Sequence, residues 1–199
     1  KPLAEGTSGQ HRLCASPMAG AYGSWWDSET DIEVVVEEQV LRAHSATLAG
    51  ASPVFAAMLR SEMKEGSTRR IRLEGKSRTE FLTFLSFLQP GSSRQAQIDD
   101  KNIDFLLAWF HEYQVEPLLR ECEEFLLGKP VSVDRLIQAK VYGFHRQYRR
   151  CLEEVASKFH VVHVELLLDH TEIMRDCIPL MKKAMKESVQ ETCFWLQRP

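Results

Sequence analysis

The side chains that most often perform catalysis in proteins, histidine and cysteine, stand apart from one another in this sequence. His44 could serve as a general base, but nothing nucleophilic stands in a recognisable relation to it. Cys122 likewise lacks a neighbouring base that would activate its thiol. His160 and His163 have a spacing that some helical metal sites use, yet the glutamate of an H-E-x-x-H motif is missing. We therefore predict no catalytic residue, no metal site and no cofactor.

The cysteines are odd in number and widely spaced, and no two of them form a C-x-x-C pair: Cys14, Cys122, Cys151, Cys177 and Cys193. This spacing disfavours a zinc ribbon or a redox pair. Two of them, Cys122 and Cys151, lie on apolar helical stripes, where a free thiol packs as a small core residue. The pattern is typical of a reducing compartment, so we expect an intracellular protein, cytoplasmic or nuclear.

Charge and hydropathy argue against two classes of partner. The net charge of -3 lacks the positive excess that nucleic-acid binding usually requires. No apolar run approaches the roughly 20 residues that a membrane-crossing helix needs. The amino-terminal segment also lacks the charged head and apolar core of a secretory signal. We expect neither a nucleic-acid partner nor a membrane partner.

One short run, Met63-Lys64-Glu65, has the chemistry of a protein-binding site. An exposed methionine at a helix end is an adaptable apolar anchor, and a carboxylate two positions later can pair with donors on a partner. Ser52-Pro53 predicts the start of the helix that carries it, and Gly66 predicts its end. Its apolar face comprises Phe55, Met58, Leu59 and Met63. The alternative is that Met63 only continues this face and that Glu65 is solvated.

The elements that must position this run begin with a predicted hairpin. Ile32 to Val36 alternates as a strand does, and Glu37-Glu38 can turn the chain into a second strand through Val40. A short helix through Leu48 follows. Arg69 to Leu73 alternates basic and apolar residues, which predicts an exposed or edge strand.

The remainder of the chain is predicted to be mainly helical. A capping box from Ser77 to Glu80 starts one helix, Pro90-Gly91 breaks it, and Ile98 is expected in a short strand. Two helical pairs then follow, whose inward residues are Ile103, Leu106, Leu107 and Phe110, then Leu118, Cys122, Phe125 and Leu126, then Val133, Leu136, Ile137 and Val141, then Tyr148, Cys151, Leu152, Val155 and Phe159. This repetition predicts stacked helical hairpins. Pro179 is expected to interrupt a last helix from Glu172 to Leu196.

Near the amino terminus, residues 1–15 are predicted to be a flexible lead. Ser16-Pro17 then predicts a helix start, and a stripe of large side chains follows at helical spacing: Met18, Tyr22, Trp25 and Trp26. Because this helix is short and contains glycine, its stripe must pack against its own domain or against a second copy of the chain.

The run DIEVVVEEQVLRAHSATLAGASPVFAAMLRSEMKE resembles the opening of a BTB/POZ domain. That family has an aspartate before a strand, an Ala-His step and Ser-Pro-x-Phe-x-x-Met, and the matching positions are Asp31, Ala43, His44, Leu48, Ala49, Ser52, Pro53, Phe55 and Met58. FLTFLSFLQPG and NIDFLLAWFHEYQVEPLLRECEEFLL resemble its later helix and its closing hairpin. VSVDRLIQAKVYGFHRQYRRCLEEVASKF resembles the helical extension called the 3-box or BACK region. SWWDSETD is similar to the approach segment of the speckle-type POZ proteins, whose upstream MATH domain has no counterpart in this sequence.

The resemblance implies an α+β fold in which a small mixed sheet is flanked by helices and followed by all-α hairpins. It places a BTB/POZ domain with its approach helix at 16–127, the BACK-like helices at 131–160 and a C-terminal helical extension at 161–199. It also gives His44 a structural role. Two departures are visible: the usual Leu-Tyr-Thr-Gly turn is Leu88 to Gly91 here, and Ser45 replaces the common Lys or Arg. The second disfavours the charged-pocket role of zinc-finger BTB repressors.

Many members of this family bind cullin-3 and recruit substrates to a ubiquitin ligase, using a hydrophobic residue, any residue and a glutamate at a helix-to-strand junction. The resemblance therefore implies a non-enzymatic adaptor whose partners are cullin-3, an unknown protein substrate and a second copy of itself. The residues it implicates in cullin binding are Met63, Lys64, Glu65, Leu136 and Tyr142. Those it implicates in dimerisation are Met18, Tyr22, Trp25, Trp26 and Leu48. The alternative is an oligomerisation scaffold that binds no cullin, and an enzyme is a third possibility without a visible pocket of titratable groups.

Overall fold

The computed structural model describes residues 30–60, 62–88 and 96–196, with only the backbone described at 161–162 and 189–196. It divides into two compact units, Lys1–Gln95 and Ala96–Pro199, each of which is described by itself. The predicted flexible lead, the approach helix and the Pro90-Gly91 break lie outside the described residues. The expected α+β class, a small mixed sheet with helices followed by further helices, is confirmed.

The first unit contains a three-stranded sheet with strand order β2-β1-β3. β1 (Ile32–Val36) pairs antiparallel with β2 (Gln39–Ala43) and parallel with β3 (Arg70–Leu73). Both residues of the Glu37-Glu38 turn have positive φ, 49° and 60°, which matches the right-handed twist of a tight hairpin. The predicted hairpin and the predicted edge strand are both confirmed. β1 is the central strand, and four of its five side chains are buried.

Among the described residues of the first unit, four helices accompany the sheet: α1 (Ser45–Ala51), α2 (Pro53–Met58), α3 (Lys64–Thr68) and α4 (Arg78–Phe87). The Ser52 side chain caps α2 by accepting a hydrogen bond from the Phe55 amide at 3.1 Å, as the Ser-Pro step predicts. Phe55 and Phe84 are fully buried with ring centroids 6.2 Å apart, and Phe81 stacks on Phe84 at 6.4 Å. These aromatic rings form the centre of the unit's core.

The prediction of one helix from Phe55 through Met63 is wrong. α2 ends at Met58, and Met63 is the N-cap of the separate helix α3, inside which Gly66 lies. The helix is interrupted because the backbone of Met63 is extended, with ψ 152°, a conformation that an α-helix cannot contain. The capping box predicted from Ser77 is also wrong, since Ser77 precedes α4 but its side chain makes no capping hydrogen bond.

The second unit is built from the predicted helical pairs. α5 (Ile103–Glu112) packs against α6 (Glu116–Leu127), and α7 (Val133–Val141) packs against α8 (His145–Ser157). α9 (Val161–Leu167) and α10 (Thr171–Leu196) complete it, and α10 lies along α8. Ile98 is not in a strand, contrary to expectation. Pro179 lies within α10 without ending it, so the predicted interruption is wrong.

The second unit has an apolar core that includes two buried thiols. Its buried members come from α7, α8, α9 and α10: Val133, Leu136, Cys151, Val155, Leu167, Ile173 and Cys177. Cys122, Cys151 and Cys177 are buried, as expected for the first two. Burial raises the pKa of the Cys151 and Cys177 thiols. Cys151 and Cys177 are therefore packing residues of this core.

Candidate protein-docking surface

The docking segment, Met63 to Glu65, lies at the start of α3. Met63 is the N-cap with an extended backbone, and 48% of its surface is exposed, so a large apolar side chain stands in solvent. Lys64 is also exposed, while Glu65 is half-buried. In the part of the chain that the structure describes, the Glu65 carboxylate has no hydrogen bond or ion pair, so it is available to a partner's donor.

Gly66 allows the turn that presents this segment. A Cβ at position 66 would overlap the Arg60 carbonyl and would approach the Leu59 oxygen to 2.9 Å. The Met63 amide donates to the Arg60 oxygen at 3.0 Å, which closes the turn between α2 and α3. Gly66 therefore acts by close backbone approach, not as the helix stop that the sequence predicts.

At the other end of α3 lies a group of three side chains, the Asp31 cluster, which consists of Asp31, Ser45 and Arg69. The Asp31 carboxylate accepts hydrogen bonds from the Ser45 amide at 2.8 Å and from the Ser45 hydroxyl at 2.6 Å. It also pairs with the Arg69 guanidinium. Burial raises the pKa of Asp31, but the two Ser45 hydrogen bonds and the charge of Arg69 outweigh it, so the pKa lies below its usual value.

The sequence does not single out Arg69 or its pairing with Asp31. Arg69 caps α3 in the left-handed conformation, with φ 54°, although arginine has no particular preference for that region. The sequence signal is indirect: the family resemblance predicts Lys or Arg at position 45, and this chain has Ser45, which carries no positive charge that could pair with Asp31. The structure supplies it from the residue before β3.

The two second-unit residues expected to bind cullin differ sharply in exposure. Leu136 is fully buried in the core described above, so its predicted role as a direct contact is wrong. Tyr142 is half-buried at the end of α7, where it meets His111 edge-on at 5.2 Å and Phe144 at 6.0 Å between ring centroids. Burial and the nearby Asp104 carboxylate raise the pKa of Tyr142, which keeps its hydroxyl neutral.

A polar network lies next to Tyr142. Asp104 accepts hydrogen bonds from Arg135 at 2.8 Å and from Gln138 at 3.1 Å. Burial raises the pKa of Asp104, but these donors and the charge of Arg135 lower it overall. Asp104 in α5 is thus joined to Arg135 and Gln138 in α7.

The residues expected at a dimer interface receive no support as a group. Leu48 is fully buried within the first unit, so its side chain cannot reach a second copy, and that prediction is wrong. Met18, Tyr22, Trp25 and Trp26 lie outside the described residues.

The histidines have structural surroundings. The His163 Nδ1 accepts a hydrogen bond from the His160 amide at 3.2 Å, so this pair closes the start of α9. His44 is half-buried at the N-cap of α1. Within residues 30–60, 62–88 and 96–196, no group of three or more histidine, cysteine, aspartate or glutamate side chains could hold a metal ion. In the same ranges, no helix is both long enough and apolar enough to cross a membrane.

Comparison with known protein families identifies the family of this chain. The profile described as "BTB/POZ domain" matches residues 24–129, more than half of the sequence. The chain belongs to the BTB/POZ domain family. The matched BTB/POZ region ends just after α6, close to the boundary at 127 that the sequence predicts.

Two curated BTB/POZ relatives extend the similarity beyond that domain. The sequence is 27% identical to BTB and MATH domain-containing protein 38 of Caenorhabditis elegans over 170 residues, which are 84% of this chain and 42% of that protein. It is 28% identical to an Arabidopsis thaliana BTB/POZ domain-containing protein over 152 residues, which are 74% of this chain and 60% of that protein. The chain thus spans about half the length of these relatives. A BTB/POZ domain is a protein-interaction domain, and the docking segment lies within it.

Proposed function

We propose that this protein is a non-enzymatic, dimeric adaptor that holds a substrate protein near a cullin-3 ubiquitin ligase. The observation that carries the proposal is the exposed Met63 with Glu65 two positions later, at the helix preceding β3 of a BTB/POZ domain. This is the hydrophobic-x-glutamate pattern that the family resemblance implies for cullin-3 binding. The similarity to a protein named for BTB and MATH domains supports the same class of adaptor.

The mechanism is proximity rather than bond chemistry. Met63 would enter an apolar depression on the cullin, where burying a flexible thioether side chain contributes most of its free energy. Glu65 would accept hydrogen bonds from the cullin and fix the register of the contact. A substrate held on another surface of the dimer then has a raised effective concentration at the ligase, and no covalent step occurs on this protein.

The second unit is proposed to extend the cullin contact through Tyr142. Its ring is held edge-on by His111, so little side-chain entropy remains to be lost on binding, which is a property of interface anchors. Leu136, two turns earlier in α7, would act only by holding the helix in place. The substrate remains unidentified, and the extension at 161–199 is the proposed region for contacting it.

The direct test replaces both docking side chains, Met63→Ala and Glu65→Ala, and measures binding to the purified amino-terminal region of cullin-3. Interface anchors each contribute roughly 2 kcal/mol or more, so we expect the double variant to bind at least about a hundredfold more weakly. Thermal stability should hardly change, because Met63 is exposed and Glu65 has no partner among the described residues. Glu62→Ala is the matched control, since it removes the same charge beside Met63 and should bind as the wild type does.

Unchanged affinity of the double variant would remove the adaptor proposal. Light scattering then measures the molar mass of the protein with and without the cullin fragment. This measurement distinguishes the adaptor from the alternative, an oligomerisation scaffold. A dimer that forms a complex with the fragment supports the adaptor, and a dimer that does not bind the fragment supports the scaffold. The variant Trp25→Ala with Trp26→Ala tests the proposed interface, and we expect it to shift the protein towards monomer.

A further inference from the structure

The helix that bears the docking segment cannot be held by apolar packing. α3 has five residues, and not one of them is fully buried. An isolated helix of this length is unstable in water, and most protein helices are stabilised by burying an apolar face. The direction of α3, and therefore of Met63 and Glu65, must come from contacts at its two ends.

The amino-terminal end is fixed through the backbone. The turn from Arg60 to Met63 and the close approach at Gly66 hold it against the end of α2. These contacts fix the position of Met63, but they all lie on the amino-terminal side of the helix. A second point of attachment is needed to set the direction of the helix.

The carboxyl-terminal end is fixed through Arg69 in two ways. Its amide donates to the Glu65 oxygen, which closes the last turn of α3, and its carbonyl accepts from the Glu33 amide in β1 at 3.0 Å. Its side chain reaches Asp31, which comes immediately before β1. One residue therefore joins α3 to the sheet by both backbone and side chain.

Asp31 is itself held on a third element. The Ser45 amide and hydroxyl, at the first residue of α1, both donate to its two carboxylate oxygens. The Ser45 hydroxyl also lies 3.5 Å from the Arg69 guanidinium. Sheet, α1 and α3 thus converge on one carboxylate, and charge-assisted hydrogen bonds of this kind are stronger and more directional than neutral ones.

We propose that the Asp31 cluster positions the docking segment, so that Arg69 and Asp31 govern cullin affinity without contacting the cullin. This rests on the proposed function above. Arg69 is a positioning residue: removing it should leave Met63 and Glu65 chemically intact but free to point in several directions. The lost order has to be restored on binding, which weakens affinity.

The experiment is a double-mutant cycle with Arg69→Ala and Asp31→Asn, measured by cullin-3 fragment affinity and by amide hydrogen exchange of the free protein. We expect each single variant to bind roughly tenfold more weakly, and the double variant to be no weaker than either, because both break one linkage. The Ser67 and Arg69 amides should exchange roughly tenfold faster, while amides of β1 keep their protection. Arg70→Ala is the matched control, because its pairing with Glu33 at 3.9 Å is longer and it should change affinity less than about twofold.

The outcomes separate positioning from two competing roles. If Arg69 touches the cullin directly, Asp31→Asn will bind as the wild type does, and the proposal is overturned. If the cluster only stabilises the fold, β1 amides will lose protection along with those of α3, which also overturns it. Ser45→Ala deletes one hydroxyl and retains the amide contact, so it provides a milder variant, with an expected loss of roughly threefold, should Asp31→Asn not fold.

Failure of the proposed function is distinguishable from failure of this inference. If the wild-type protein does not bind the cullin fragment, the adaptor proposal falls. The exchange measurements still decide whether the cluster orders α3: localised acceleration at Ser67 and Arg69 supports it, and unchanged exchange overturns it.

Discussion

The two regions that the sequence associates with a cullin partner are stabilised in opposite ways. In the first unit, α3 buries no side chain completely and is held at its ends by a glycine turn and by the Asp31 cluster. In the second, α7 buries Val133 and Leu136 in an apolar core shared with α8, α9 and α10. One region depends on directional polar contacts at a few points, and the other on a continuous apolar interior.

The difference explains why one predicted contact is accessible and another is not. An apolar residue at a helix without a buried face has no core to pack into, so it remains exposed to solvent. Met63 is accordingly exposed. An apolar residue on an amphipathic helix has a core available and enters it, as Leu136 does. An apolar side chain is therefore accessible to a partner in one region and contributes to the core in the other.

The largest expected effect tests the apolar side of this contrast. Leu136→Ala should lower the free energy of unfolding by about 2–5 kcal/mol, because it leaves a cavity in a packed core. Val141→Ala on the same helix truncates a side chain that is 59% exposed, and should change the free energy of unfolding by less than about 0.5 kcal/mol. Urea denaturation measures both, and a similar cost for the two variants would contradict the assignment of Leu136 to the core.

A smaller effect is expected at the turn that begins α3. Gly66→Ala should cost about 1–3 kcal/mol, or displace α3, because the new methyl group meets the Arg60 carbonyl. Gly50→Ala is the control: it lies in α1 with no atom within 4 Å of the added Cβ, and should stabilise the protein by up to about 1 kcal/mol. Thermal melts compare the two, and equal tolerance of alanine would refute the close approach.

The smallest effect is the pH dependence of the Asp31 cluster. The pKa of Asp31 is lower in the folded chain than in the unfolded one, so its contribution to stability is present above the unfolded value of about 3.9 and is lost as the pH falls through the folded value. Since the Asp31 side chain is 40% exposed, we expect under about 1 kcal/mol. Urea midpoints between pH 7 and pH 3 should fall less steeply for Asp31→Asn than for the wild type; identical slopes would count against the cluster.

Much of the first unit was predictable because its signals are local. The Ile32 to Val36 alternation, the Glu37-Glu38 turn and the Ser52-Pro53 cap each depend on a few adjacent residues, and each is present. The errors share another cause. Whether a helix continues through Leu59 to Met63, or through Pro179, depends on what the chain packs against, and neighbouring residues do not carry that information.

The candidate docking site also combines features that the sequence predicts with features that it does not. The pattern Met63-Lys64-Glu65 is visible in the sequence, but its exposure, the burial of Leu136 and Leu48 and the pairing of Arg69 with Asp31 are not. The last of these joins residues 38 positions apart. Such a pair cannot be identified until strand pairing has fixed which residues are neighbours.

By itself, the sequence determined the three strands of the sheet, most of the helices, the BTB/POZ resemblance and the three residues that could bind a partner. These follow from periodicity, capping and short motifs, which act over one or two turns of chain. Only the tertiary structure decided which apolar side chains are available and what holds α3 in place. The physical reason is that solvent exposure and charge pairing depend on distances between segments that are remote in the sequence. Those distances are set only when the chain folds.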